Sequence, residues 1–283
     1  MNYKLSVLLI LFCCLNVMAA EPFELKISKQ YAPNLLKNPG FEELAGSNKP
    51  SFWHFDNCSA SKELEPIILN DGAIGNNAAA VRTAGGLFGY WMQEVKVTEG
   101  NTYYAHANFK VNGSKALLWV KTAEYSDKKS PLHHPKSSTE IYARAYSEHG
   151  EELKKVLQYF IDPFYIQAVS SSEWNIYSME FTVPSGHNIS RYAIRVGAYG
   201  GNSGWVMIDD VYFGLSKYKL TLEISGSNLK GVKVMTLAGK AVFSKDLGSS
   251  SGKQLLEVEL PSRQERYFVE VEDIKGKSYR RDI

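Results

Sequence analysis

Hydrolysis of a glycoside needs two carboxylates placed across the scissile bond, and a serine or cysteine hydrolase needs a nucleophile beside a base. Neither arrangement has a recognisable local motif in these 283 residues. The pair His133-His134 offers metal-ligating nitrogens, but adjacent loop histidines point apart and no third ligand stands at a telling spacing. Cys58, between Asn57 and Ser59, reads as a packed free thiol. What remains is elimination chemistry, in which a tyrosine or histidine takes a proton beside a uronic acid and an arginine neutralises its carboxylate. Tyr142, His106 and Arg144 are of the right types, without a lyase signature around them. Binding without reaction is the expectation, with lysis as the alternative.

The elements that would position such side chains are strands. From Tyr31 to about Ser216 short alternating stretches are separated by turn residues, and no convincing amphipathic helix interrupts them. In Tyr103 to Lys110, one face carries Tyr103, Ala105, Ala107 and Phe109 and the other Tyr104, His106, Asn108 and Lys110. Ile141, Ala143 and Ala145 make a second apolar stripe, opposite Tyr142, Arg144 and Tyr146; Tyr192, Ile194 and Val196 make a third, opposite Arg191, Arg195 and Gly197. A helix over Glu151 to Phe160 competes with strand, because Glu151, Glu152, Lys154 and Lys155 are good helix formers, yet Gly150 sits poorly inside one. Residues 126–138, with two prolines and no periodicity, read as an exposed loop.

A second boundary falls near Ser216. After it, Leu220, Leu222 and Ile224, then Val232 to Met235, Lys240 to Phe243, Leu256 to Leu260 and Tyr267 to Val271, alternate as a small separate sandwich. The expected organisation is all-β: a signal peptide over 1–20, a jelly-roll sandwich over 21–216 and an immunoglobulin-like sandwich over 217–283.

The first segment sets the compartment. A charged start at Lys4, the apolar run Leu5 to Leu15 and small residues at Ala19 and Ala20 form a secretory signal, too short for the roughly 20 apolar residues of a spanning helix. The expected destination is secreted or cell-surface. Cys13 and Cys14 lie inside that segment, so the remaining Cys58 can form no internal disulfide and stability must come from an ordinary core. A net charge of +2 without a basic stripe argues against nucleic acid as partner, and no second apolar run is long enough to span a membrane.

The stretch Pro33 to Glu43, with its Asn38-Pro39-Gly40-Phe41-Glu42 motif, resembles the opening of jelly-roll carbohydrate-binding modules attached to bacterial cellulases and xylanases. Trp53, the strand entry from Trp91 through Gly100 to Tyr103, the run Trp174 to Pro184, and the close Gly204 to Val211 with Ile208-Asp209-Asp210-Val211 follow in the order of that family. The resemblance spans about 31–215 and implies a galactose-binding-like jelly roll. It also implies a structural calcium held by Glu42 and by Asp209 or Asp210, since a hard cation takes several oxygen ligands. The competing reading is that Asp209 and Asp210 take backbone donors at a strand end.

In the related modules the ligand lies across a sheet on the side away from the core. Parity then nominates Tyr142, Arg144, Tyr146, Arg195, Arg191, Tyr104, His106 and Asn108, where aromatic planes meet C–H faces and polar groups fix hydroxyls. Solvated strand faces also carry tyrosine and arginine, which is the bland alternative. The basic side chains among them hint at an acidic polysaccharide. A surface protein that contacts protein rather than glycan is the third class. Residues 217–283, through Val232 to Val242, Leu260-Pro261, Tyr267 to Val271 and Arg280-Arg281, resemble the C-terminal sorting domain of the type IX secretion route, with Gln264-Glu265-Arg266 where a glycine is usual; this implies a secretion-machinery partner.

Overall fold

The computed structural model describes residues 23–122, 141–146, 152–158, 164–168, 171–183, 185–186 and 189–283; for 121–122 and the three short segments between 141 and 168 it describes the backbone alone. The signal segment and the 126–138 loop lie outside the described residues. Contacts divide the described residues into two compact units, one within 28–221 with 257–266, the other of residues 23–27 with 222–256 and 267–283.

The described elements are strands throughout. They are β1 (Phe23–Tyr31), β2 (Leu44–Gly46), β3 (Lys49–Pro50), β4 (His54–Asp56), β5 (Glu65–Leu69), β6 (Ala78–Thr83), β7 (Phe88–Lys96), β8 (Thr102–Thr122), β9 (Ile141–Tyr146), β10 (Glu152–Gln158), β11 (Phe164–Ala168), β12 (Ser171–Thr182), β13 (Arg191–Leu215), β14 (Tyr218–Thr236), β15 (Ala241–Leu260), β16 (Tyr267–Asp273) and β17 (Ser278–Asp282). Over 152–158 the backbone is strand, not the competing helix.

The larger unit is a jelly-roll sandwich built on one long antiparallel ribbon. β8 and β13 pair along their whole length, from Tyr192 opposite Thr122 to Leu215 opposite Tyr103. The ribbon's two halves belong to different layers. In the first, β12 flanks the early half of β8 and β6 the late half of β13; β9 and β10 extend it on one side and β5 on the other. In the second, β11 flanks the late half of β8, and β7 then β4 flank the early half of β13.

Side-chain parity records the turn between layers. Ala105, Ala107, Phe109 and Val111 are buried in the main core, but so are Ala116, Leu118 and Val120, so the inward set changes from odd to even across 112–115. A strand of strict period two cannot keep one face on a single core through such a change unless the backbone rolls over. Gly113 does this at φ 76°, where an added Cβ would sit 2.3 Å from the Ser203 carbonyl oxygen. Gly113→Ala should therefore strain the backbone and push the ribbon apart, costing about 1–3 kcal/mol in chemical denaturation. An unchanged midpoint would show that the ribbon tolerates a side chain there.

β13 makes a second adjustment near its end. Its register slips by one residue between Asp209 and Tyr212, with Asp210 at φ 45°, a left-handed conformation that aspartate tolerates better than most residues. Ile208 before the bulge and Val211 and Phe213 after it all stay in the core, where Phe213 stacks on Tyr103 at 5.2 Å. Trp53 and Trp91 are core residues, whereas Trp174 and Trp205 cover a small cluster of Ala78, Ala80 and Met207 on the outer side of the first layer. In the smaller unit a sheet of order β1-β14-β16-β17, with β15 on β14, buries Leu222, Ile224, Val232, Val234, Val269 and Val271.

Candidate functional site

The face drawn from strand parity divides in two. Because both halves of the ribbon turn their apolar sides to one core, Tyr104, His106 and Asn108 look outward from the first layer and Arg191 and Arg195 outward from the second. The structure does not bring these two sets together. In β9, position 144 pairs with Glu180 and position 146 with Ser178 of the first layer; the side chains of Tyr142, Arg144 and Tyr146 lie outside the described residues.

On the first layer, Tyr104, His106 and Tyr212 form an aromatic group, the His106 ring stacked on Tyr212 at 5.4 Å. His106 Nε2 lies 3.3 Å from Asp210 Oδ2, and Asn108 Nδ2 donates to the same oxygen at 3.3 Å. The neighbouring His106 holds the Asp210 carboxyl below its ordinary value. Lys110 pairs with Asp71 at 2.9 Å. Burial pushes the Tyr104 phenol up, and the face around it is roofed by Ser262, Arg263 and Gln264 of the same unit.

The second layer carries a different surface. The Arg195 guanidinium lies over the Trp119 ring at 5.1 Å, and Tyr90 meets that ring edge-on at 5.6 Å. Register explains the meeting, since Arg195 is directly opposite Trp119 on one side and Met92 on the other. Asp56, at the end of β4 beside Tyr90, faces Arg195 with 3.8 Å between Oδ2 and Nη2. Arg195 Nε is buried and has no hydrogen-bond partner among the described residues. Between Arg195 and the exposed Tyr199 the strand carries Gly197, whose Cβ would meet the Gly89 carbonyl oxygen at 2.2 Å. Tyr90 and Leu117 are buried there, and Tyr199 is exposed. Cys58, expected to be packed, is exposed beside Asp56; desolvation and that carboxylate push its thiol up to about 11. Arg191 stands further along, 3.8 Å from Glu94.

The residues read as calcium ligands also separate. Glu42 and Asp209 share one knot of loops: Glu42 Oε1 accepts from the Asn76 and Asn77 amides at 2.8 and 3.0 Å, and Asp209 accepts from Ile74 at 2.8 Å and Asp210 at 2.6 Å. Gly75, at φ 83°, lets that loop approach, for a Cβ there would lie 2.2 Å from Glu42 Oε1. The opening motif is tied in by Asn34, which bonds the Val211 carbonyl and the Phe213 amide, and by Trp53 Nε1 donating to the Asn38 carbonyl. Asp209 is fully buried, and burial pushes its carboxyl up to about 6. Asp210 turns instead to His106. Two carboxylates beside loop backbone suit an oxygen-ligated ion, although among the described residues no group of three or more acidic, histidine or cysteine side chains is gathered.

No protein-family model matches the chain, and no curated protein does. Solved structures do resemble it. They include the enzymatically active domain of tailspike protein 4 of bacteriophage CBA120 (15% identity over 64% of this chain and 21% of that one, TM-score 0.42) and TmCBM61 with β-1,4-galactotriose (18%, 65% and 99%, 0.39). A Stig cyclase from Fischerella sp. TAU is a third (13%, 66% and 97%, 0.39). This chain thus spans about a fifth of the tailspike domain's length. What each of these proteins binds or converts is its own property.

Strand parity turns Arg195 away from the core, as the fold does, but does not single out Trp119, Tyr90, Asp56 or Tyr199. Tyr90 was within reach, because the burial of Trp91 turns its neighbour to the other face. Asp56 was not, since the strand that carries it has three residues and no periodicity.

Proposed function

We propose that the chain is a non-catalytic carbohydrate-binding protein whose sugar site is the Arg195–Trp119–Asp56 surface, with the buried Tyr90 packed against Trp119. The observation that carries this reading is the guanidinium laid on the Trp119 ring beside a carboxylate. The guanidinium over the ring and the carboxylate beside it suit hydroxyls, and the exposed Tyr199 ring further along the strand suits the C–H face of a pyranose. The first-layer face supports it less well, because a turn of the same unit already covers Tyr104. Arg195, Arg191 and Lys110 each stand within 4 Å of a carboxylate, and His106 stands beside Asp210, so local charge is offset and a hydroxyl-rich polymer fits better than a polyanion. Calcium bridging Glu42 and Asp209 would lock the loop knot as a structural ion. The expected location remains outside the cell or on its surface; among the described residues no helix is long and apolar enough to cross a membrane.

The test is a glycan panel with neutral arms (galactan, xylan, cello-oligosaccharides) and acidic arms (pectin, alginate, chondroitin sulfate), with absorbance of unsaturated chain ends followed in parallel. Saturable binding to a neutral glycan that survives moderate salt is the expected result. Product from the uronate polymers would establish lysis instead, and binding to no glycan would leave a protein-contacting surface as the better reading.

A further inference from the structure

The outer face of the first layer holds a box whose occupant is part of the chain. The Arg263 guanidinium carbon lies 4.1 Å from the centre of the Tyr31 ring, 4.2 Å from Tyr104 and 4.4 Å from Tyr212. Tyr218 backs Tyr31 at 5.4 Å, His106 backs Tyr212, and the Tyr212 hydroxyl is anchored on the Ala32 carbonyl at 2.7 Å. Among the described residues Arg263 forms no ion pair. Its charge is met by three ring faces, each of which attracts a flat cation through the ring quadrupole.

The turn bearing Arg263 is held at further points. Ser262 Oγ donates to Glu180 at 2.9 Å, Ser216 Oγ also donates to Glu180, the Arg263 amide donates to Ser216 Oγ at 3.1 Å, and Gln264 Nε2 donates to Ser178 Oγ at 3.2 Å. The fit is incomplete. Arg263 Nη1 and Gln264 Oε1 are buried with no hydrogen-bond partner among the described residues, a state that favours opening over a fully satisfied one.

We propose that the Tyr31–Tyr104–Tyr212 box is a guanidinium-binding site that the chain fills with its own Arg263, which thereby straps the Ser262–Gln264 turn over this face. The ligand class is a flat, weakly hydrated cation such as guanidinium or an arginine side chain, and any such group in trans competes with the strap. A compact ammonium is more strongly hydrated and fits the three faces less well.

The test uses the full chain, with methylguanidinium chloride as the probe and sodium chloride at equal ionic strength as the control. In Arg263→Ala the emptied box should take up the probe, so the unfolding temperature rises saturably with methylguanidinium. The wild type, its box already filled, should show no saturable rise. Equal responses in the two proteins, or a response matched by sodium chloride, would overturn the proposal. Tyr31 is exposed, so Tyr31→Leu removes one wall without touching the core and serves if Arg263→Ala does not fold. It should speed amide hydrogen exchange at residues 262–265 by about fivefold through loss of one cation–π contact. Unchanged exchange there would equally overturn it.

Discussion

Trp119→Ala is expected to cost about 2 kcal/mol or more of glycan affinity, roughly a 30-fold rise in Kd, while leaving the fold intact. The ring is the platform on which Arg195 rests, so its removal takes apolar area from the site and frees the guanidinium to leave its position. Arg195→Ala should weaken binding less, because the indole remains and its face is then uncovered, and should leave Asp56 without its cationic neighbour. Isothermal titration against the glycan selected from the panel measures both. The contrast with His106→Ala is the informative one. On this reading His106 belongs to the covered outer face of the other layer, and its replacement should leave the glycan Kd unchanged. A loss in His106→Ala that equals the loss in Trp119→Ala would move the sugar site to the first layer.

Asp209 should govern how stability responds to pH and to calcium. Its folded pKa of about 6 stands above the ordinary 3.8, so the folded protein holds this proton more tightly than the unfolded chain. The contribution of the protonated group is present in full below the unfolded value and is lost as pH rises through about 6. In chelator-treated protein the wild type should therefore lose about 2 kcal/mol relative to Asp209→Asn between pH 4 and pH 7. The cause is a buried carboxylate which, once ionised, has only backbone amides to answer its charge. A calcium ion on Glu42 and Asp209 would reverse the balance at neutral pH, raising the unfolding temperature in the wild type, little near pH 5 and not at all in Asp209→Asn. Urea unfolding at three pH values, with calcium and with chelator, reads both effects. Parallel pH profiles for the two proteins would refute the buried-charge account, and no calcium response at pH 7 would remove the structural ion.

Smooth alternation made part of the molecule legible in sequence. Tyr103 to Phe109 and Tyr192 to Val196 each hold one period over several residues, and their apolar members are buried as the pattern requires. The reading of Asp209 as a carboxylate that takes backbone donors was also legible, and it accepts from the Ile74 and Asp210 amides.

What alternation cannot carry is phase across a bend. The inward set of β8 changes at Gly113 and that of β13 at Asp210, and a parity argument run through either point puts residues from opposite outer faces on one imagined surface. Parity is equally silent on layer: it turns His106 and Arg195 outward from one core correctly, but β8 near His106 and β13 near Arg195 belong to opposite layers, so the two stand on different outer faces. The sequence by itself determined the strand content, the apolar faces and the pool of aromatic and basic side chains available for recognition. Only the tertiary structure decided which of them meet, since Arg195 finds Trp119 and Asp56, and Arg263 finds Tyr31, Tyr104 and Tyr212, through contacts between segments far apart in the chain that no local period encodes.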